Sequence, residues 1–264
     1  MSPPDARPKK TPRLAAAKGA GWRRLLEPYD PLTSLALTMP VFLVYHLGIL
    51  LTDLRNGADL VTGLMVQLLD RSLLGYVALT LAVAAGVVVA GRRMRARHTL
   101  ELRSLGPVVA ESGVWSIVLL VSVGWLTAQI VGAWILDAHE AAPLLQLGPR
   151  TLGPIERVVM SAGAGFHEEV VFRVGLFGGG AWALERGAKL SGPRAAAIAA
   201  IVSSVLFSAV HYVGSLGDAF SIASFVFRFF MGLAFVALFR FRGFAVAVYT
   251  HFLYDLLVFF VFGR

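Results

Sequence analysis

Val158–Leu184 reads VVMSAGAGFHEEVVFRVGLFGGGAWAL, with Glu168, Glu169 and Arg173 near its centre. The stretch exceeds the roughly 20 mostly apolar residues that carry a helix across a bilayer. A charge inside such a helix costs at least about 2.5–3.5 kcal/mol on insertion scales. Whether the surroundings are lipid or a soluble core is decided by the rest of the chain. Of its 264 residues, 57% are apolar and 15% charged, against roughly 25% charged in an average soluble domain. The first thirty residues hold ten of the forty Asp, Glu, Lys and Arg, so the remainder is poorer still. A soluble globule must cover itself with polar groups. A soluble enzyme, a disordered chain and a coiled coil are excluded. The fold class expected is an all-α, polytopic transmembrane helical bundle.

Six further stretches resemble the first in length and apolarity. The seven expected spans run near Pro31–Thr52, Ser72–Gly91, Gly113–Leu136, Val158–Leu184, Ala195–Tyr212, Phe220–Phe239 and Gly243–Phe262. The fifth is short, and Gly178-Gly179-Gly180 marks a candidate break in the last turn of the fourth. Lys and Arg in alternate loops and tails total 17 on one side and 5 on the other. The richer side is expected to be cytoplasmic, placing the N-terminus inside and the C-terminus outside. The net charge of +8 thus speaks for membrane topology and not for nucleic acid. Ala58–Leu69 is apolar but too short to cross, and reads as an interfacial or re-entrant helix. Residues 1–30 read as a basic, disordered cytoplasmic tail, and 31–264 as the membrane domain. The tail lacks the apolar core of a cleavable signal peptide, so the first span reads as an uncleaved anchor. Cysteine is absent, which removes disulfides, thiol nucleophiles and thiolate ligands.

The buried ionisable groups gather in the last four spans. Glu169 and Arg173 are four apart with the acid first, the favourable order for a pair on one helical face. Their reading is structural. Glu168 points about 100° away and has no partner at that spacing, which suits a base that must later return its proton. His251 and Asp255 are also four apart, so a carboxylate can fix the tautomer and tilt of the imidazole. His211 comes from a third helix. His46 and His167 read as packing or hydrogen-bonding histidines. Arg228 reads as a snorkelling or paired cation without chemistry. His167-Glu168 begins like the zincin motif, but the second histidine would fall at Val171.

Glu168-Glu169-Val-Val-Phe-Arg173, Phe207-Ser-Ala-Val-His211 and His251-Phe-Leu-Tyr-Asp255 together resemble the signatures of the CPBP family of intramembrane proteases. That family includes the type II CAAX prenyl endopeptidases and bacteriocin-processing and immunity proteins. Its motifs are Glu-Glu-x-x-x-Arg, Phe-x-x-x-His and His-x-x-x-Asn or Asp. The resemblance covers about 155–262, the protease-like core. Asp255 stands where many members have Asn.

The resemblance implies hydrolysis of a peptide bond in a membrane-associated or exported protein or peptide. Glu168, aided by His211, would take a proton from water. His251, oriented by Asp255, would stabilise the oxyanion. Glu169 and Arg173 would hold the helix. No cofactor is favoured. The alternative is zinc or another divalent metal on His211, His251 and a carboxylate from Glu168 or Asp255. The setting implied is a multi-pass protein of a bacterial inner or cell membrane, with lipid and substrate, but no nucleic acid, as partners. At 1.5 Å per residue, His211 lies about 25 Å from Arg194 and Glu168 about 16 Å from Arg157. The cluster is expected toward the extracytoplasmic half. The rival readings are a non-catalytic scaffold or immunity protein of the same family, and a proton- or metal-coupled transporter. The transporter lacks support from internal repeats.

Overall fold

The structure, a computed structural model, describes residues 28–52, 56, 59, 73–95, 98–132, 152–213 and 217–261. Their regular structure is all helical, with no strand among the described residues. The elements are α1 (Pro31–Gly48), α2 (Leu73–Met94), α3 (Leu105–Gly132), α4 (Pro154–Gly163), α5 (Gly180–Arg186), α6 (Gly192–Val210), α7 (Ile222–Arg242) and α8 (Phe244–Val261). Two π-helical stretches, Ala164–Glu168 and Val170–Gly179, join α4 to α5 in one unbroken rod. Most of the basic tail, and Ala58–Leu69 apart from Asp59, lie outside the described residues.

Five helices are long and apolar enough to cross a membrane: Pro31–Gly48, Leu102–Gly132, Gly192–Val210, Ile222–Arg242 and Phe244–Val261. The other two expected spans fall on α2 and on the rod from Pro154 to Arg186. The third span begins earlier than expected. A 3₁₀ turn at Leu102–Ser104 leads directly into α3, and Pro107 is tolerated because it sits in the first helical turn. The glycines at 178–180 do not break the rod. Phe177 clusters there with Ala199 of α6 and Val236 of α7, so tertiary packing holds the segment helical.

Local chemistry sets the helix ends. Pro31 opens α1, and the Asp30 carboxylate accepts from the Leu32 N–H at 2.8 Å, an N-cap. Between α7 and α8 the chain reverses at Gly243, whose φ of +96° favours glycine. Its N–H reaches the Leu238 and Phe239 carbonyls at 3.1 Å. At this end Arg242 makes a two-pronged pair with Glu111 of α3, at 2.5 and 2.9 Å. Thr33 also donates to the Thr99 carbonyl there. The opposite end joins the start of α4 to the end of α8, where Arg157 donates to the Phe259 carbonyl at 2.6 Å.

Helix α8 runs through the middle of the bundle. Ala245, Val246, Ala247 and Val248 are all fully buried, as expected of a helix that is apolar on every side. Small residues bring the backbones close. A Cβ at Gly165 would lie 2.9 Å from Phe252 Cβ and 3.0 Å from the Val248 carbonyl, so glycine is what lets the rod approach α8 there. Apolar side chains on outer faces, among them Val121, Trp125, Ile201 and Leu206, are exposed. So many exposed large apolar side chains fit a lipid environment.

Candidate active site

The three polar motifs meet around the π-helical part of the rod. A π turn is wider than an α turn and recurs at functional sites. Here the widening follows the run Ala162-Gly163-Ala164-Gly165, whose small residues admit Tyr45 and α8. Both neighbouring acids point inward. Glu169 is fully buried and Glu168 nearly so.

Glu169 and Arg173 pair at 3.0 Å with both side chains wholly buried. The guanidinium lies 4.4 Å from the Phe207 ring centroid, 5.1 Å from Phe235 and 5.9 Å from Phe172. Three aromatic faces therefore surround a cation that has one carboxylate partner. Phe207 thus has a task in its motif: one helical turn before His211, its ring packs against both that imidazole and Arg173.

His251 stands between the two glutamates. Its Nδ1 meets Glu169 Oε1 at 2.8 Å, and its Nε2 faces Glu168 Oε2 at 3.9 Å. Its ring stacks on Phe235, with centroids 4.6 Å apart and planes inclined by 20°. The sequence pointed to Asp255 as the group that orients this imidazole. Instead Asp255 Oδ2 approaches Nε2 at 3.9 Å, too far for a hydrogen bond, and Glu169 holds Nδ1. The i, i+4 spacing places Asp255 on the correct face, but the close carboxylate arrives from another helix.

His211 terminates α6, and its Nδ1 donates to the Phe207 carbonyl at 2.7 Å. A carbonyl only accepts, so Nδ1 carries the proton and Nε2 of the neutral ring holds a lone pair. That Nε2 also faces Glu168 Oε2 at 3.9 Å. The same oxygen therefore looks toward two imidazoles and has no hydrogen-bond partner among the described residues. A separation of 3.9 Å is too long for direct bonding and is one at which a bridging water is to be considered.

Sequence reasoning passed over Asn56. Its amide donates to Glu168 Oε1 at 2.9 Å, in a buried bond across 112 residues. Tyr45 accepts from the Asn56 backbone N–H at 3.0 Å and donates to Asp59 at 2.9 Å. No spacing rule links Asn56 to Glu168. The one available signal was that Asn56 is the only asparagine in the chain. His46 and His167 pack together with ring centroids 5.2 Å apart, beside Tyr45. Arg228 pairs with Asp218 and lies over the Tyr212 ring.

The donor types, two imidazoles and a carboxylate, are ones that a divalent metal takes. Among the described residues, no group of three or more His, Asp or Glu side chains is arranged to hold one.

Fold and site define a class: a helical, lipid-facing chain with a carboxylate set between two imidazoles in its interior. Residues 151–257 match the family model described as type II CAAX prenyl endopeptidase Rce1-like, a protease family, and the match supports membership of the CPBP family. It spans all three motifs and leaves Asn56 outside. No curated protein and no solved structure matches the chain.

Proposed function

We propose that the chain is an intramembrane endopeptidase that hydrolyses a peptide bond of a membrane-associated or exported protein. The observation carrying this reading is the convergence of Glu168 Oε2 with Nε2 of His211 and of His251, at 3.9 Å each. Two imidazoles thus converge on one carboxylate oxygen, and all three groups are able to take, hold and return a proton.

The steps follow from the partners. A water held by Glu168 and by the His211 lone pair gives one proton to Glu168 as its oxygen attacks the scissile carbonyl carbon. The C–O bond forms, and the carbonyl electrons move onto oxygen. With Nδ1–H donated to Glu169, His251 Nε2 can donate only when the ring carries both protons. The two carboxylates flanking that ring, Glu169 and Asp255, neutralise the charged form. The imidazolium then supplies the fixed donor that the oxyanion needs. Collapse breaks the C–N bond, and Glu168 returns its proton to the leaving amine. No step is routed through a metal.

The membrane arrangement belongs to the same proposal: seven spans within 31–264, a protease-like core at 155–262, N-terminus cytoplasmic and C-terminus outside. The structure's alternation of helix ends supports this order. Arg242 and Glu111 gather at one end of the bundle, while Arg157 meets the end of α8 at the other. His211 caps the end of α6, and Asn56 follows the end of α1. Both support a cluster nearer the second end, the end expected on the extracytoplasmic side from the charge count.

The test is turnover of a randomised peptide library carrying a lipid anchor, by the full chain in detergent micelles, read by mass spectrometry. Wild type is expected to release defined fragments and Glu168→Gln none. Full cleavage by Glu168→Gln would refute the reading.

A further inference from the structure

We infer that Asn56 is a positioning residue that fixes the plane of the Glu168 carboxylate, so that one oxygen faces the two imidazoles. The inference rests on the proposed hydrolysis and extends its machinery beyond the segment that matches the family model. Glu168 has two carboxylate oxygens. One, Oε1, accepts the Asn56 amide at 2.9 Å. The other, Oε2, is buried, has no hydrogen-bond partner among the described residues, and faces both imidazoles. A carboxylate free to rotate about its last bond swings its oxygens through a broad range, because that torsion is poorly restrained. The amide removes this freedom and leaves Oε2 aimed at the position between His211 and His251.

Asn56 is itself held. Its backbone N–H donates to the Tyr45 hydroxyl, which in turn donates to Asp59. Tyr45 is fully buried in α1. A Cβ on Gly163 would come within 2.6 Å of the Tyr45 ring and 3.0 Å of Asn56 Cβ. The glycine of the rod thus leaves room for the tyrosine that anchors the asparagine. The chain from α1 through Tyr45 and Asn56 to Glu168 joins the N-terminal helix to the protease-like core. Asparagine suits the task because its amide offers two donors without adding charge beside a carboxylate. Aspartate, almost the same shape, would offer only acceptors.

The experiment has two arms. Because Asn56 is the only asparagine, a chain labelled with 15N-asparagine gives a single pair of side-chain amide signals in detergent micelles. Glu168→Gln is expected to shift that pair, since it changes the acceptor from carboxylate to amide. In the second arm, the best-cleaved member of the lipid-anchored library serves as substrate for Asn56→Ala, Asn56→Asp and Tyr45→Phe. Loss of a hydrogen bond to a charged group predicts that kcat falls about tenfold to a hundredfold in Asn56→Ala, with KM nearly unchanged. Asn56→Asp should lose more despite its matching shape, and Tyr45→Phe less, as it loosens only the anchor. An amide signal indifferent to Glu168→Gln would overturn the inference. So would wild-type kcat in Asn56→Ala while Glu168→Gln is inactive, a result that leaves the hydrolytic reading standing. Full activity in Glu168→Gln would overturn both.

Discussion

Replacing Glu169 with glutamine tests the energetics at the centre of the bundle. The change keeps the shape and removes one charge. Both members of the Glu169–Arg173 pair are fully buried, 3.0 Å apart. Without the Glu169 carboxylate, the guanidinium keeps the rings of Phe172, Phe207 and Phe235 and the attraction of Glu168, with which it makes no direct ion pair. Removing one partner of a buried pair typically costs about 3–5 kcal/mol, a large part of the 5–15 kcal/mol that holds a typical domain. Cation–π contact with desolvated rings is worth up to about 2 kcal/mol, so the loss is expected near the lower end of that range. Thermal unfolding in detergent micelles, followed by the fluorescence of the five tryptophans, should show a clearly lowered Tm for Glu169→Gln. The double variant Glu169→Gln/Arg173→Met should recover much of the loss, because it removes the uncompensated charge and leaves an apolar chain among aromatic rings. A Tm for Glu169→Gln equal to wild type would refute the argument. So would a double variant less stable than the single one, since the penalty would then not lie in a stranded cation.

Three other outcomes are expected. Asp255→Asn should reduce kcat by less than about tenfold, while Glu169→Gln should reduce it by about a hundredfold or more, because Glu169 holds the His251 ring and Asp255 stands 3.9 Å away. The reverse order in steady-state kinetics would return the orienting role to Asp255. Asp30→Ala should cost about 1 kcal/mol as a lost N-cap. Burial opposes ionisation of Asp30, yet the Leu32 and Thr99 N–H groups and the His98 imidazole outweigh it and hold the carboxyl below its usual range. Its stabilisation is therefore complete above the ordinary carboxylate value and fades as pH falls through the lower folded value. A Tm difference between Asp30→Ala and wild type that persists unchanged into strong acid would contradict this. Finally, Val213→Cys places a lone thiol on an exposed residue just beyond His211. A membrane-impermeant maleimide should label it in right-side-out vesicles and not in inverted ones, and the opposite pattern would reverse the proposed topology.

The helical architecture was legible because lipid allows few alternatives: backbone groups in hydrocarbon must pair within the segment. Ends were harder to read. The third span was expected from Gly113, but α3 starts at Leu105, and Pro107 is harmless there because it sits in the first turn. Gly178–Gly180 looked like a break, but contact with α6 and α7 outweighs glycine's weak helix propensity. Within the site, the Glu169–Arg173 contact followed from spacing alone, since helical neighbours four apart meet whatever surrounds them.

Sequence alone thus determined a helical membrane-type chain, and it singled out the ionisable residues that are expensive to bury. Their chemistry and local spacing are properties of single helices. Tertiary structure decided which of those residues touch. It brought Glu169 to His251 across 82 residues and Asn56 to Glu168 across 112. It also turned both imidazoles toward one carboxylate oxygen. The physical reason is that helical periodicity governs contacts within a turn or two, whereas contacts between helices depend on packing. Here packing depends on the close approach allowed at Gly163 and Gly165 and on the widened π turns beside them.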